Sequence, residues 1–188
     1  MIISQTPLRI SFIGGGTDLA EFYKHTAGSV ISTTIDKYIY IIIKDRFDDK
    51  IYLNYSEKEI VADVNDVKHD LIREVMLKTG VVSGIEITTL ADIPSEGSGL
   101  GSSSSVLVGL LNALYTYKGI QAPAEKLARE ACEIEINILK KPIGKQDQYI
   151  AAYGGIKEIV FNPDESVIVN EVTVENKARR SFGSNILL

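Results

Sequence analysis

Apolar and polar residues alternate in the first third of this chain, whereas later apolar positions recur every three to four residues. Alternation and β-branched content predict strands at Leu8–Ile13, Val30–Ile35, Tyr38–Lys44 and Ile51–Tyr55. The pair Asp36-Lys37 is read as a turn between the second and third of these. Helical spacing over Val64–Thr79 sets Val67, Leu71, Val75 and Leu77 or Lys78 along one side. Gly80 and Gly84 end that helix, and Ile85–Leu90 alternates as a further strand. A helix then runs from the serines at 102–105 to about Lys118. Pro123 suits the first position of the next helix, where a missing N–H costs nothing, and that helix extends to about Lys140. A shorter one covers Gln146–Tyr153, Gly154-Gly155 stop it, and Ile156–Phe161 returns to strand. Strands come first and helices later, with no internal repeat, so the fold class is α+β and not a regular βαβ series.

Composition narrows the possible partners. The net charge is −5, and no stripe of Lys and Arg is present, so nucleic acid is not an expected partner. The one cysteine, Cys132, excludes an internal disulfide and fits a reducing compartment. Met1–Gln5 is too short and polar for a signal peptide, and the apolar run Tyr38–Ile43 is too short to span a bilayer. The expected location is cytoplasmic, with no membrane partner.

The densest chemical signal is Pro94-Ser95-Glu96-Gly97-Ser98-Gly99-Leu100-Gly101-Ser102-Ser103-Ser104-Ser105, which lies between a strand and the apolar run Val106–Tyr117. Glycines let backbone turn sharply and approach a ligand closely. A helix that starts within the serines leaves its first N–H groups unpaired and its positive dipole end exposed, which together make a seat for phosphate. The spacing is not the G-x-G-x-x-G of dinucleotide-binding loops, and no lysine stands where a Walker A loop needs one. A plain glycine-serine linker is the alternative, but linkers seldom join a clean strand to a strongly apolar helix. Without a loop lysine, phosphate charge falls to N–H groups, the helix dipole, a metal ion and residues from elsewhere.

This stretch resembles the ATP-binding motif of the GHMP kinases, the superfamily of galactokinase, homoserine kinase, mevalonate kinase and phosphomevalonate kinase. Two further segments resemble theirs in the same order. Pro7–Asp18 looks like the N-terminal substrate motif, and Gly144-Lys145-Gln146-Asp147-Gln148 followed by Gly154-Gly155 looks like the segment with the catalytic aspartate. Galactokinase-type chains carry Glu-His before the Thr-Asp of the first motif. Here Gly15-Gly16 stands instead, with Ile35-Asp36-Lys37-Tyr38 after it, which is similar to the D-glycero-D-manno-heptose 7-phosphate kinases. The resemblance implies the ribosomal protein S5 domain 2-like fold, a mixed or antiparallel sheet packed with helices. It also implies ATP and Mg²⁺ as cofactors and a sugar phosphate as substrate.

Residue roles follow from both sources. Spacing alone leaves Asp147 open between a catalytic carboxylate and a first-turn helix residue favoured by the dipole. The resemblance implies catalysis, with Arg9 beside it to pair with the carboxylate and stabilise the moving phosphoryl group. Arg9, Ser11 and Ile13 alternate on one face of their strand, with Leu8, Ile10 and Phe12 on the other. Asp18 suits a helix N-cap for Leu19–His25, and the resemblance implies contacts to substrate hydroxyls. Gly14, Gly15, Gly16 and Thr17 are expected beside it at the sugar. The nucleotide is expected at Glu96, Gly97, Ser98, Gly99, Leu100, Gly101, Ser102, Ser103 and Ser104. Ser103 is the expected Mg²⁺-facing hydroxyl. On the helix Ala124–Leu139, Lys126, Glu130, Glu133 and Asn137 form a wet stripe, while Glu135 falls among Ala128, Ala131, Cys132, Ile138 and Leu139. A glutamate on an apolar face is costly unless paired or metal-bound, so Glu135 is the expected second Mg²⁺ ligand. Lys145 is read as solvated, and His25, His69 and Cys132 as structural.

Members of this superfamily are considerably longer and carry a second domain. Residues 1–188 are therefore read as the N-terminal, ATP-binding domain, with the C-terminal domain absent from this chain. The leading expectation is a kinase acting on the anomeric hydroxyl of a heptose 7-phosphate. The alternatives are a galactose- or fucose-type kinase, a nucleotide- or sugar-binding fragment that needs a complementary C-terminal chain or a homo-oligomer, and a structural domain of the same fold.

Overall fold

One 18-residue strand organises the molecule, whose computed structural model describes residues 1–93 and 98–185. In chain order the first elements are β1 (Ile2–Ile13), α1 (Ala20–Tyr23), β2 (Gly28–Asp45), β3 (Ile51–Asn54) and β4 (Lys58–Val61). Then come α2 (Asp70–Thr79), β5 (Ile85–Ala91), α3 (Ser102–Tyr117), α4 (Ala124–Cys132) and α5 (Gln146–Tyr153). β6 (Ile156–Phe161), β7 (Val167–Glu171) and α6 (Asn176–Gly183) complete it. β1 runs antiparallel along β2, from Ile2 opposite Ile43 to Ile13 opposite Ile31. β5 pairs with the C-terminal half of β2 and β6 with its N-terminal half, both antiparallel. β3 joins β5 in the sheet's only parallel pairing among the described residues, and β4 and β7 form the outer strands. The result is the mixed sheet of an α+β fold.

Asp36-Lys37 is not a turn. β1 pairs with both halves of β2, Pro7 opposite Tyr38 and Arg9 opposite Thr34, so the extra residues of β2 are absorbed as a bulge. Pairing with one continuous neighbour overrides the local turn signal. The same register shift breaks the alternation of β1. Leu8 is fully buried in the main core, while Ile10 and Phe12 lie beneath α6, where the Phe12 and Phe182 rings meet edge-on at 5.0 Å. Arg9 and Ser11 do share a face, and it looks onto α5.

The predicted helix over Val64–Thr79 is interrupted. A 3₁₀ turn covers Val64–Asp66, and α2 begins only at Asp70. Between them the Lys68 and His69 N–H groups donate to the buried Glu59 carboxylate at 2.8 and 3.2 Å, which satisfies backbone that a continuous helix would have used. Gly80 then closes α2 in the left-handed conformation with φ +71°. The main core fills the space between the sheet and α2–α4 with Ile41, Ile43, Leu53, Ile87, Leu107, Leu111 and Met76. A smaller cluster of Tyr23, Val30, Tyr149, Ile150, Ile159 and Phe161 anchors α5 to the other end of the sheet. No helix among the described residues is long and apolar enough to cross a membrane.

Candidate active site

β1, the α3 N-terminus and the α5 N-terminus converge on one point. Asp147, in the first turn of α5, accepts from Arg9 Nε at its Oδ1 and from Arg9 Nη2 at its Oδ2, each at 2.7 Å. The third donor, Arg9 Nη1, reaches the Gly99 carbonyl at 2.5 Å, and the Arg9 backbone N–H donates to the Leu100 carbonyl. One arginine thus fixes both the carboxylate and the glycine loop. Bidentate guanidinium–carboxylate pairing sets orientation as well as energy.

The loop is shaped by positive φ at Gly99 (+66°) and Gly101 (+76°), where a side chain would strain the backbone. A Cβ on Gly101 would also stand only 3.2 Å from Asp147 Oδ2 and Arg9 Cγ, so the carboxylate lies directly against the helix start. Gly101 is the N-cap of α3 and no side chain caps it. The first N–H groups of the helix therefore face outward beside Asp147, available to an anion. Glu96 and Gly97 lie outside the described residues. Ser98 Oγ and Ser102 Oγ pair at 3.0 Å, and Ser105 Oγ donates to the Pro7 carbonyl.

Glu135 is fully buried. Ser103 Oγ donates to its Oε1 at 2.6 Å, while Ser104 Oγ and Gln148 Nε2 donate to its Oε2 at 2.6 and 2.7 Å. Helix α4 does not continue as an α-helix to this residue. It passes into a π-helical segment, Glu133–Ile138, with Leu139 N–H reaching back five residues to the Ile134 carbonyl. Such wider turns recur at functional sites, and this one aims Glu135 at the α3 serines. Ser103, Glu135 and Asp147 line one cavity of about 250 Å³. A hydroxyl and a carboxylate oxygen facing a shared cavity are the hard donors that Mg²⁺ prefers, so the residues present fit that ion. Ser104, grouped with the nucleotide residues by sequence, turns its hydroxyl to Glu135 instead. Any contact it makes to an anion falls to its N–H.

The glycine turn reaches the site through Asp18. This residue does not N-cap a helix: Leu19 is the N-cap of α1 and makes no side-chain cap. Asp18 is buried, and its Oδ1 accepts from the Gly16 N–H while its Oδ2 accepts from the Gln146 N–H, both at 3.1 Å. It thereby ties the turn to the start of α5. Thr17 Oγ1 is engaged with the Gly14 and Ser29 backbone, whereas Gly15 and Gly16 stay exposed at the surface of the turn.

Four participants escaped sequence reasoning. Buried Gln146 accepts from Ser11 and Ser32 hydroxyls and donates to Asp147 Oδ1 at 3.3 Å, which holds the carboxylate from its own helix. Buried Gln148 holds Glu135. Their signal was present as two amides flanking an aspartate in an otherwise apolar helix. Lys141 lies 3.8 Å from Glu135 Oε1. His69, half-buried, lines a second cavity of about 470 Å³ that adjoins Ser102 and Ser103. A further expectation is corrected: Glu130 is buried, not on a wet stripe, and accepts from the Tyr115 hydroxyl at 2.7 Å. Burial and then that bond push the Tyr115 pKa up to about 12. Among the described residues, no cluster of three or more His, Cys, Asp or Glu could hold a metal by itself.

The fold is that of an α+β domain, and residues 65–155 match the GHMP kinases N-terminal domain. The chain has the fold of that domain and is similar to heptose phosphate kinases over most of its own length. It is 34% identical over 189 residues to the D-glycero-alpha-D-manno-heptose 7-phosphate kinase of Campylobacter jejuni, covering 93% of this chain and 55% of that protein. A crystal structure described as a D-glycero-D-manno-heptose 1-phosphate kinase from Bacteriodes thetaiotaomicron superposes with a TM-score of 0.87 at 30% identity. That match covers 94% of this chain and 61% of that one. Galactokinase of Pyrococcus furiosus is 28% identical, over 85% of this chain and 46% of that protein. The chain thus spans about half the length of the curated relatives named here.

Proposed function

We propose that this chain is the ATP-binding part of a Mg²⁺-dependent kinase that phosphorylates the anomeric hydroxyl of a sugar phosphate, D-glycero-D-manno-heptose 7-phosphate. The reading rests on one observation above others: a carboxylate held by a bidentate arginine lies against the uncapped N-terminus of a glycine-led helix. The α3 N–H groups and dipole would bind the triphosphate. The cavity of about 470 Å³ next to Ser102 and Ser103 has the size of a small-ligand site and would receive the nucleoside. Bound Mg²⁺, held by Ser103 and Glu135, would neutralise phosphate charge. Asp147 would orient the sugar hydroxyl and accept its proton as that oxygen bonds to the γ-phosphorus and ADP leaves. Arg9 would keep Asp147 in that position, and the exposed glycine turn would lie along the sugar. The heptose assignment draws on the Gly-Gly-Gly-Thr-Asp turn and on the names of the relatives, which differ in where they place the phosphate.

The test incubates the protein with ATP, Mg²⁺ and a panel of hexoses, heptoses and their phosphates. ADP release with the heptose 7-phosphate, and a product phosphorylated at the anomeric carbon, are expected. No ADP above background from any acceptor would remove the kinase reading for this chain alone. The span of about half the relatives' length supports a second reading, a nucleotide-binding fragment that requires a C-terminal domain. In that case nucleotide binds without turnover, and adding the C-terminal part of a relative restores it.

A further inference from the structure

Lys141 is the one cation close to the buried Glu135 carboxylate among the described residues. Three observations single it out. Its Nζ lies 3.8 Å from Glu135 Oε1 and 3.4 Å from Ser103 Oγ, longer than the 2.6–2.7 Å bonds that Ser103, Ser104 and Gln148 make to the same carboxylate. It borders both the cavity shared by Glu135 and Asp147 and the larger one lined by His69, so its side chain stands at the passage between them. Its backbone is fixed: Lys140 takes a left-handed φ of +55°, unusual for a non-glycine residue, and the Lys141 N–H then returns to the Glu135 carbonyl at 2.9 Å. The turn after the π segment is built to bring this side chain back to that carboxylate.

A fully buried carboxylate is costly unless its charge is compensated, and when no metal is present a nearby cation lowers that cost. The long contact and the partial exposure of Lys141 mark it as a partner that can leave. From these we infer that Lys141 is the resident counter-cation of Glu135, displaced by a divalent cation and then paired with the phosphates of the bound nucleotide. The inference rests on the proposed nucleotide seat. It supplies from elsewhere in the chain the lysine that the glycine loop lacks, and it keeps Glu135 compensated in both states.

The test compares wild type, Lys141→Met, Lys141→Arg and Glu135→Gln by thermal unfolding, with EDTA, with Mg²⁺ alone and with Mg²⁺ plus inorganic triphosphate. Removing the cation leaves Glu135 unpaired. Lys141→Met should therefore melt lower than wild type in EDTA and gain more from Mg²⁺ alone. It should also bind Mg²⁺–triphosphate roughly tenfold more weakly, the order expected for one lost charge-assisted hydrogen bond. Lys141→Arg should keep the wild-type pattern, and Glu135→Gln should abolish the Mg²⁺ response. An equal Mg²⁺ gain and equal triphosphate affinity in wild type and Lys141→Met would overturn the inference while leaving the phosphate seat in place. Absence of triphosphate binding by wild type would remove the seat itself, and the inference with it. If Lys141→Met fails to fold even with Mg²⁺, Lys141→Gln takes its place in the same comparison.

Discussion

Asp18 occupies the space that a side chain on Gly144 would need. The carboxylate that ties the glycine turn to α5 packs flat against this glycine, and a Cβ there would overlap both its Oδ2 and its Cγ. Gly144→Ala must therefore push Asp18 off the Gln146 N–H and loosen the start of the helix that carries Asp147. A loss of about 1–3 kcal/mol is expected in urea unfolding, as for other overpacked sites. Gly15→Ala is the matched control, since a Cβ there meets nothing within 4 Å, and it should cost little.

Arg9→Lys separates charge from geometry. A lysine retains one positive charge but cannot donate to both Asp147 oxygens and the Gly99 carbonyl at once. Turnover should fall by roughly a hundredfold or more, the usual scale for a lost charge-stabilising donor at a reaction centre. Circular dichroism should remain that of the wild type. Steady-state kinetics on the proposed heptose phosphate provides the measurement.

Much of this site was legible in the sequence because its signals are local. The glycine-serine run, the apolar helix after it and the aspartate at the start of a short helix each reflect neighbouring residues. Glu135 was legible because a charge amid apolar neighbours is conspicuous at helical spacing. Other features depend on partners distant in sequence. Asp36-Lys37 looks like a turn until β1 is seen to pair with both halves of β2. Glu130 looks solvated until Tyr115, fifteen residues earlier, covers it. Asp18 looks like a helix cap until the α5 N-terminus arrives from 128 residues away. The π segment leaves no simple periodic trace, and with it Lys141 stayed hidden.

The two serines beside Glu135 should behave differently when truncated. Ser104 is buried and donates to a buried carboxylate, so Ser104→Ala should destabilise the fold by about 1.5–3 kcal/mol, the range for a hydrogen bond to a charged group. Ser103 is exposed and faces the cavity, so Ser103→Ala should cost less stability and more of the response to Mg²⁺. Chemical denaturation with and without the metal reads both effects. Equal losses from the two variants would contradict this division of labour.

Acid should weaken the break before α2. Burial alone would raise the Glu59 pKa, but the Lys68 N–H, the Tyr55 hydroxyl and the His69 N–H outweigh it and leave it below the ordinary 4.5. A carboxyl with a lowered folded-state pKa stabilises the fold above 4.5 and loses that contribution as pH falls through the folded value. Glu59→Gln should therefore be less stable than wild type at neutral pH, and the gap should close below pH 4.5. Melting temperatures across a pH series decide it; a gap that stays constant with pH would rule out the titration of Glu59 as the cause.

The position of the triphosphate is decisive, and a crystal structure with Mg²⁺ and a non-hydrolysable ATP analogue would show it. Phosphate oxygens are expected within hydrogen-bond reach of the Ser102–Ser104 backbone N–H groups, with the metal between Ser103 and Glu135 and the γ-phosphate facing Asp147. Nucleotide bound away from the start of α3, or a γ-phosphate turned from Asp147, would contradict the kinase reading of this site.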